Sequence, residues 1–202
     1  MKQILDIHGH IDILINNGGV SVRSDVVGTQ IDVDIKIMLV NYFGTAALTK
    51  AVLPSMIARK DGRIVCISSV QGKLAIPQRS AYSASKHALQ AFCDSLRAEM
   101  DEHNVKVTLI SPGYINTPLS MNALTGDGST YGKVDHATAN GVDPLKLSQQ
   151  ILETVLSDKK DVVFAPFTSN AAIWIRFFSP ALYFWLMAQR ARKFSKTAKK
   201  SE

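Results

Sequence analysis

Arg63-Ile64-Val65-Cys66-Ile67-Ser68-Ser69 is an apolar run bounded by Asp61-Gly62 on one side and by two serines on the other. A short continuous apolar run between turn residues reads as a strand buried on both faces, the habit of a parallel sheet. After a loop containing Gly72 and Pro77, residues 81–103 repeat Tyr82, Leu89, Phe92, Leu96 and Met100 at helical steps. Val105-Lys106-Val107-Thr108-Leu109-Ile110 then reads as the next strand, stopped by Pro112-Gly113.

The same grammar continues in both directions. Upstream, Asp12-Ile13-Leu14-Ile15-Asn16 reads as a buried strand that ends at Asn17-Gly18-Gly19. Residues 33–59 read as a long helix, with Met38, Tyr42, Ala46, Thr49 and Leu53 near helical spacing and Pro54 as a kink or early stop. Downstream, residues 118–141 are rich in Gly, Ser, Thr, Asp and Asn and read as a mobile loop over a site. Asp143-Pro144 opens another helix, with proline in its first turn, and residues 161–165 form a fourth strand. Strands alternating with helices predict an α/β fold with a parallel sheet. In such sheets ligands bind beyond the carboxyl ends of the strands. Asn16, Ser69 and the Pro112 turn fall at such ends, and Tyr82 starts the helix after one.

The composition fits one globular domain: 202 residues, 46% hydrophobic and 20% charged. Cys66 and Cys93 sit in apolar stretches and read as small core residues, in a reducing environment. The five histidines lack metal-ligand spacing, so no metal is expected. The segment after Met1 is polar and mixed, so no secretory signal is expected in it. The net charge of +6 is concentrated at one end. Arg190, Arg192, Lys193, Lys196, Lys199 and Lys200 against Glu202 give +5 over residues 190–202. The rest is nearly neutral, which argues against a nucleic-acid-binding face on the domain.

Tyr82-Ser83-Ala84-Ser85-Lys86 carries the chemistry, with Ser69 thirteen residues upstream. Tyr82 and Lys86 are four apart on one helix and share a face. A free tyrosine has a pKa of about 10, high for an acid–base catalyst near neutral pH. A nearby ammonium favours the phenolate, and Lys86 is placed to supply it. Ser69 is suited to hydrogen-bonding a carbonyl oxygen where negative charge grows as hydride arrives. Tyr-x-x-x-Lys by itself is common on ordinary amphipathic helices; the weight lies in the whole constellation.

Asn16-Asn17-Gly18-Gly19, Asn41, Ile67-Ser68-Ser69, Tyr82-Ser83-Ala84-Ser85-Lys86 and Ser111-Pro112-Gly113 resemble, in order and spacing, the short-chain dehydrogenase/reductase family. The match spans about residues 4–165. The resemblance implies an oxidoreductase passing hydride between NAD(P)(H) and a ketone or secondary alcohol, with NADP(H) favoured over NAD(H). It implies that Tyr82 moves the proton, that Lys86 also binds the nicotinamide ribose, and that Ser69 orients the substrate oxygen. Asn41 would hold a water linking Lys86 to solvent; its bland alternative is a satisfied polar group in a helix. Asn16 and Gly18 would lie along the adenosine side, Gly18 standing where the family usually has alanine. Ile115 and Thr117 would contact the nicotinamide end, although Thr117 also suits a simple cap. A lipid-like ketone is the implied substrate, with acyl-dihydroxyacetone-phosphate, steroid and retinoid ketones as candidates. A homo-oligomer and an endoplasmic-reticulum or peroxisomal membrane setting are implied as well.

The family's T-G-x-x-x-G-x-G turn, whose amides hold the pyrophosphate, does not occur in these residues. The expected architecture is therefore an incomplete Rossmann-type doubly wound sheet, lacking its first strands and glycine-rich turn, roughly 70–80 residues by βα-unit size. The residue that separates NAD from NADP belongs to that portion. An apolar sheet edge and face should then be exposed. Two expectations stand side by side: part of a full enzyme, or a catalytically silent short form acting as a membrane-associated or subunit-pairing module.

Residues 1–170 are expected to be the C-terminal part of the dinucleotide-binding domain, and 171–202 an apolar helix with a basic tail. Residues 171–188 hold 15 apolar residues of 18, interrupted by Arg176, Ser179 and Pro180. A surface-lying helix with Trp174 and Trp185 near its ends, backed by the basic tail on anionic headgroups, fits this pattern better than a span. The alternative is a helix that closes the substrate pocket or packs on another subunit.

Overall fold

Four short strands, β1 (Ile13–Asn16), β2 (Gly62–Ile67), β3 (Val105–Pro112) and β4 (Asp161–Phe164), pair in that order, all parallel. The computed structural model describes residues 2–198. Lys199, Lys200 and Glu202 of the basic tail lie outside the described residues. The helices in chain order are α1 (Lys2–His8), α2 (Ile31–Met38), α3 (Gly44–Arg59), α4 (Ser80–Glu99), α5 (His136–Ala139), α6 (Pro144–Leu156), α7 (Phe167–Phe178) and α8 (Pro180–Ala198).

Alternation along β2 shows why the strand is apolar throughout. Ile64 and Cys66 pack with Val52 and Met56 of α3 and with Leu89, Cys93 and Leu96 of α4. Val65 points to the other face, where it meets Ile110 of β3 and Val155 of α6. Helices therefore cover both faces, as in a doubly wound sheet. Both cysteines are buried and free. Asp143 caps α6 by accepting from the Leu145 and Lys146 amides, with Pro144 in the first turn. β1 is one of the two outer strands of the described sheet, and its Ile13 and Ile15 are 45% and 52% exposed. The apolar edge and face expected of a sheet without its first strands are thus exposed here.

Three expectations change. Residues 31–59 are continuous, but a π-helical turn, Leu39–Phe43, joins α2 to α3. That wider turn rotates the buried stripe to Val33, Ile37, Asn41, Thr45, Thr49, Val52 and Met56, away from the Met38–Tyr42 line. Pro54 is accommodated inside α3. The segment is long and apolar enough to cross a membrane, yet it packs this stripe into the domain. Residues 118–141 are tied down: Leu124 N–H donates to Ser21 O, Arg23 N–H to Leu124 O and Gln30 N–H to Gly126 O, each at 2.8 Å. The single helix expected over 171–188 is two, because Pro180 cannot extend α7 and instead opens α8.

Leu89 is 1% exposed at the contact of α4 with β2 and β3. Leu89→Ala should lower the unfolding free energy by about 2–5 kcal/mol in denaturant titration; a loss below about 1 kcal/mol would mean that this layer does not carry the fold.

Candidate active site

The strand ends meet at one point because the loops after β1 and β2 and the first turns of α4 are cross-linked by side chains. Asn41, fully buried in the π turn, donates from Nδ2 to Val20 O and to Ser85 Oγ, both at 2.9 Å. Its Oδ1 accepts from Val20 N–H at 2.8 Å. Ser85 Oγ in turn donates to the Tyr82 carbonyl at 2.8 Å. Asn41 thus fixes the Gly18-Gly19-Val20 loop against α4. Its amide is committed to protein groups, and its main-chain carbonyl accepts from Thr45 Oγ1 at 3.2 Å.

Tyr82 and Lys86 occupy the inner face of α4, 7% and 4% exposed. Lys86 Nζ donates to Ile67 O, at the end of β2, at 2.9 Å. It lies 5.8 Å from the Tyr82 ring centroid. Burial lowers its pKa to about 8. Burial also raises the Tyr82 phenol, opposed by the Ser69 hydroxyl and by the charges of Arg23 and Arg79. The expected depression of the phenol by Lys86 therefore does not appear: burial outweighs the cations, and Lys86 turns its ammonium toward Ile67. Ser69 caps the short turn Val70–Gly72, its Oγ accepting from Gln71 N–H at 3.1 Å. Gly72 is required by close approach, since a Cβ there would stand 2.7 Å from Ser68 Oγ and 2.8 Å from Lys86 O.

A cavity of about 780 Å³ opens over these residues, within the usual range for small-molecule sites. Ser69, Tyr82, Lys86, Gly18, Ile115 and Thr117 all line it. Asn16 does not: its side chain turns into the interior, Nδ2 donating to Thr49 Oγ1 at 3.1 Å, and its buried Oδ1 has no partner. Asn17 and Gly19 line the cavity instead. A methyl at Gly18 would meet nothing within 4 Å, so glycine there leaves the turn intact.

Some lining was not legible in the sequence. Arg23 reaches the cavity and is held by Asp135 through Nε and Nη2, both at 2.7 Å, while Arg79 reaches the same carboxylate oxygen at 3.1 Å. This cluster ties the 118–141 segment to the start of α4. Ser68, beside Ser69, has a buried hydroxyl without a hydrogen-bond partner and also lines the cavity. An unpartnered Ser68 hydroxyl, the Ser69 hydroxyl and the Lys86 ammonium fit the polar groups of a dinucleotide's nicotinamide end. Among the described residues no cluster of three or more His, Cys, Asp or Glu could hold a metal.

A family model described as short chain dehydrogenase matches residues 1–127. The chain belongs to the short-chain dehydrogenase family. It is similar to a dehydrogenase/reductase SDR family protein 7-like of Anopheles gambiae, 64% identical over 98% of this chain and 62% of that protein. It is similar also to dehydrogenase/reductase SDR family member 7B of Mus musculus, 56% identical over 95% of this chain and 59% of that one. A solved structure of 4-hydroxyisoleucine dehydrogenase complexed with NADH and succinate is 28% identical, with a TM-score of 0.62, covering 81% of this chain and 71% of that one. The chain therefore spans about three fifths of the length of the curated relatives it matches.

The lowered Lys86 pKa has a stability consequence. The unfolded lysine keeps its proton to 10.5, the folded one only to about 8. Between these values the unfolded state binds more protons, so this group makes stability rise with pH. The difference in unfolding free energy between unmodified protein and Lys86→Met should rise from about pH 8 toward 10, approaching roughly 3 kcal/mol over the full window. Above 10 the raised Tyr82 acts in the opposite sense. A flat difference between 8 and 10 would mean that Lys86 titrates as an exposed lysine.

Proposed function

We propose that the full-length protein carrying this chain is an NAD(P)(H)-dependent oxidoreductase that interconverts a lipid-like ketone and its secondary alcohol. The observation that carries the proposal is the convergence of Ser69, Tyr82 and Lys86 on one cavity at the strand ends. A bound nicotinamide supplies or accepts the hydride. Tyr82, kept protonated by burial, donates its hydroxyl proton to the carbonyl oxygen in reduction and takes it back in oxidation. Ser69 Oγ holds the same oxygen and stabilises the charge that develops on it. Lys86 binds the nicotinamide ribose, and Asn41 holds a water that links Lys86 to solvent.

Ile115 and Thr117 take the nicotinamide end, and Gly18, with Asn17 in place of Asn16, the adenosine side. NADP(H) in preference to NAD(H) rests on the family resemblance alone. A lipid-like substrate is supported by Leu74, Ile76, Leu119, Leu147 and Ile151 in the cavity wall. Exposed Ile35, Leu39 and Phe43 along α2 and the π turn support pairing with another subunit. The exposed aromatics of α7 and α8, followed by basic residues, support contact with an endoplasmic-reticulum or peroxisomal membrane surface.

In the full-length protein Tyr82→Phe should lower kcat at least about 100-fold and leave the dinucleotide Kd within a few fold. Near-normal turnover by that variant would end the proposal.

A further inference from the structure

The helices α7 and α8 expose aromatic side chains among basic ones. Thr168, Ser169 and Ala172 of α7 line the cavity, as do Met187 and Arg190 of α8. Tyr183, one turn before Met187, is 3% exposed and donates its hydroxyl to Ala75 O, pinning α8 beside the loop that follows Ser69. The open surface of both helices is rich in aromatics. Trp174, Phe177 and Phe178 of α7 are 60%, 75% and 73% exposed, and Trp185 of α8 is 58% exposed. Trp174 stacks on Phe178 at 5.6 Å, and Phe177 meets Phe178 edge-on at 5.0 Å. A surface helix ordinarily turns polar residues outward; these two expose aromatics while their inner faces form a wall of the cavity.

Charge says what covers the outer face. Residues 162–201 contain seven cations, Arg176, Arg190, Arg192, Lys193, Lys196, Lys199 and Lys200, and no aspartate or glutamate. Arg176 lies over the Tyr183 and Phe184 rings, 5.7 and 5.0 Å from their centroids, a cation set among aromatics. Aromatics mixed with basic residues suit the headgroup boundary of an anionic bilayer. A second copy of this face would set like charges against one another. The cavity itself is lined by Arg23, Lys86 and Arg190 and, among the described residues, by no carboxylate.

We propose that α7 and α8 lie in an anionic membrane surface and form the portal through which a bilayer-dissolved ketone reaches Tyr82. This rests on the oxidoreductase reading and adds the route of entry to it. The same two helices touch bilayer on one side and cavity on the other, so a lipid substrate need not cross water.

The test uses full-length protein with vesicles of phosphatidylcholine, with or without phosphatidylserine. The protein should float with the phosphatidylserine vesicles, and brominated acyl chains should quench the emission that Trp174→Phe/Trp185→Phe removes. In a Trp174→Ser/Phe178→Ser variant flotation should be lost. Reduction of a long-chain ketone carried in vesicles should then fall about tenfold or more, while a short water-soluble ketone is reduced at the unmodified rate. Unchanged reduction of the vesicle-borne ketone by the non-floating variant would overturn the portal. Absence of flotation, or a dimer whose tryptophans stay unquenched, would overturn the membrane surface. If the unmodified protein binds dinucleotide but reduces neither ketone, the oxidoreductase reading fails instead, and flotation still decides the surface.

Discussion

Asn41 is the constraint on which the site depends. Its buried amide makes three hydrogen bonds, two to the main chain of Val20 and one to Ser85. Those bonds join the loop after β1 to the helix that carries Tyr82 and Lys86. Removing the amide would strand the partly buried N–H and C=O of Val20 and the buried Ser85 hydroxyl. The π-helical turn is what brings Asn41 to this point, and such turns often mark functional sites. Lys86 adds the third connection by closing on Ile67 at the end of β2.

Burial then sets the proton affinities. The same enclosure raises the Tyr82 phenol and lowers the Lys86 ammonium. A phenol that stays protonated near neutral pH is a donor aimed into the cavity. Positive charge near it comes from Arg23 and Arg79, which share the single carboxylate of Asp135. The segment that carries Asp135 is therefore coupled to the start of the helix that holds Tyr82 and Lys86 by a largely buried ion-pair cluster.

Much of this was legible in the sequence because the signals are local. Apolar runs ended by Gly, Ser or Pro marked four strands, and the four-residue step from Tyr82 to Lys86 marked one helical face. The misses share a physical cause: each depends on a contact or backbone detail that periodicity does not contain. A straight helical wheel placed Met38 and Tyr42 inward, but the π turn moved Ile37 and Asn41 there. Asn16 was read at the cavity, yet Thr49 offers its amide an interior partner. Arg23 and Asp135 are 112 residues apart and meet only through the fold. Fifteen apolar residues of eighteen hid the break at Ser179-Pro180, although Pro180 itself carried the signal.

The most direct measurement is transfer of label. Full-length protein would be incubated with a panel of long-chain ketones and a nicotinamide dinucleotide deuterated at its hydride position, and the alcohols analysed by mass spectrometry. The account predicts an alcohol carrying one deuterium on the former carbonyl carbon, with its hydroxyl proton drawn from solvent. Dinucleotide binding without label in any product would contradict it.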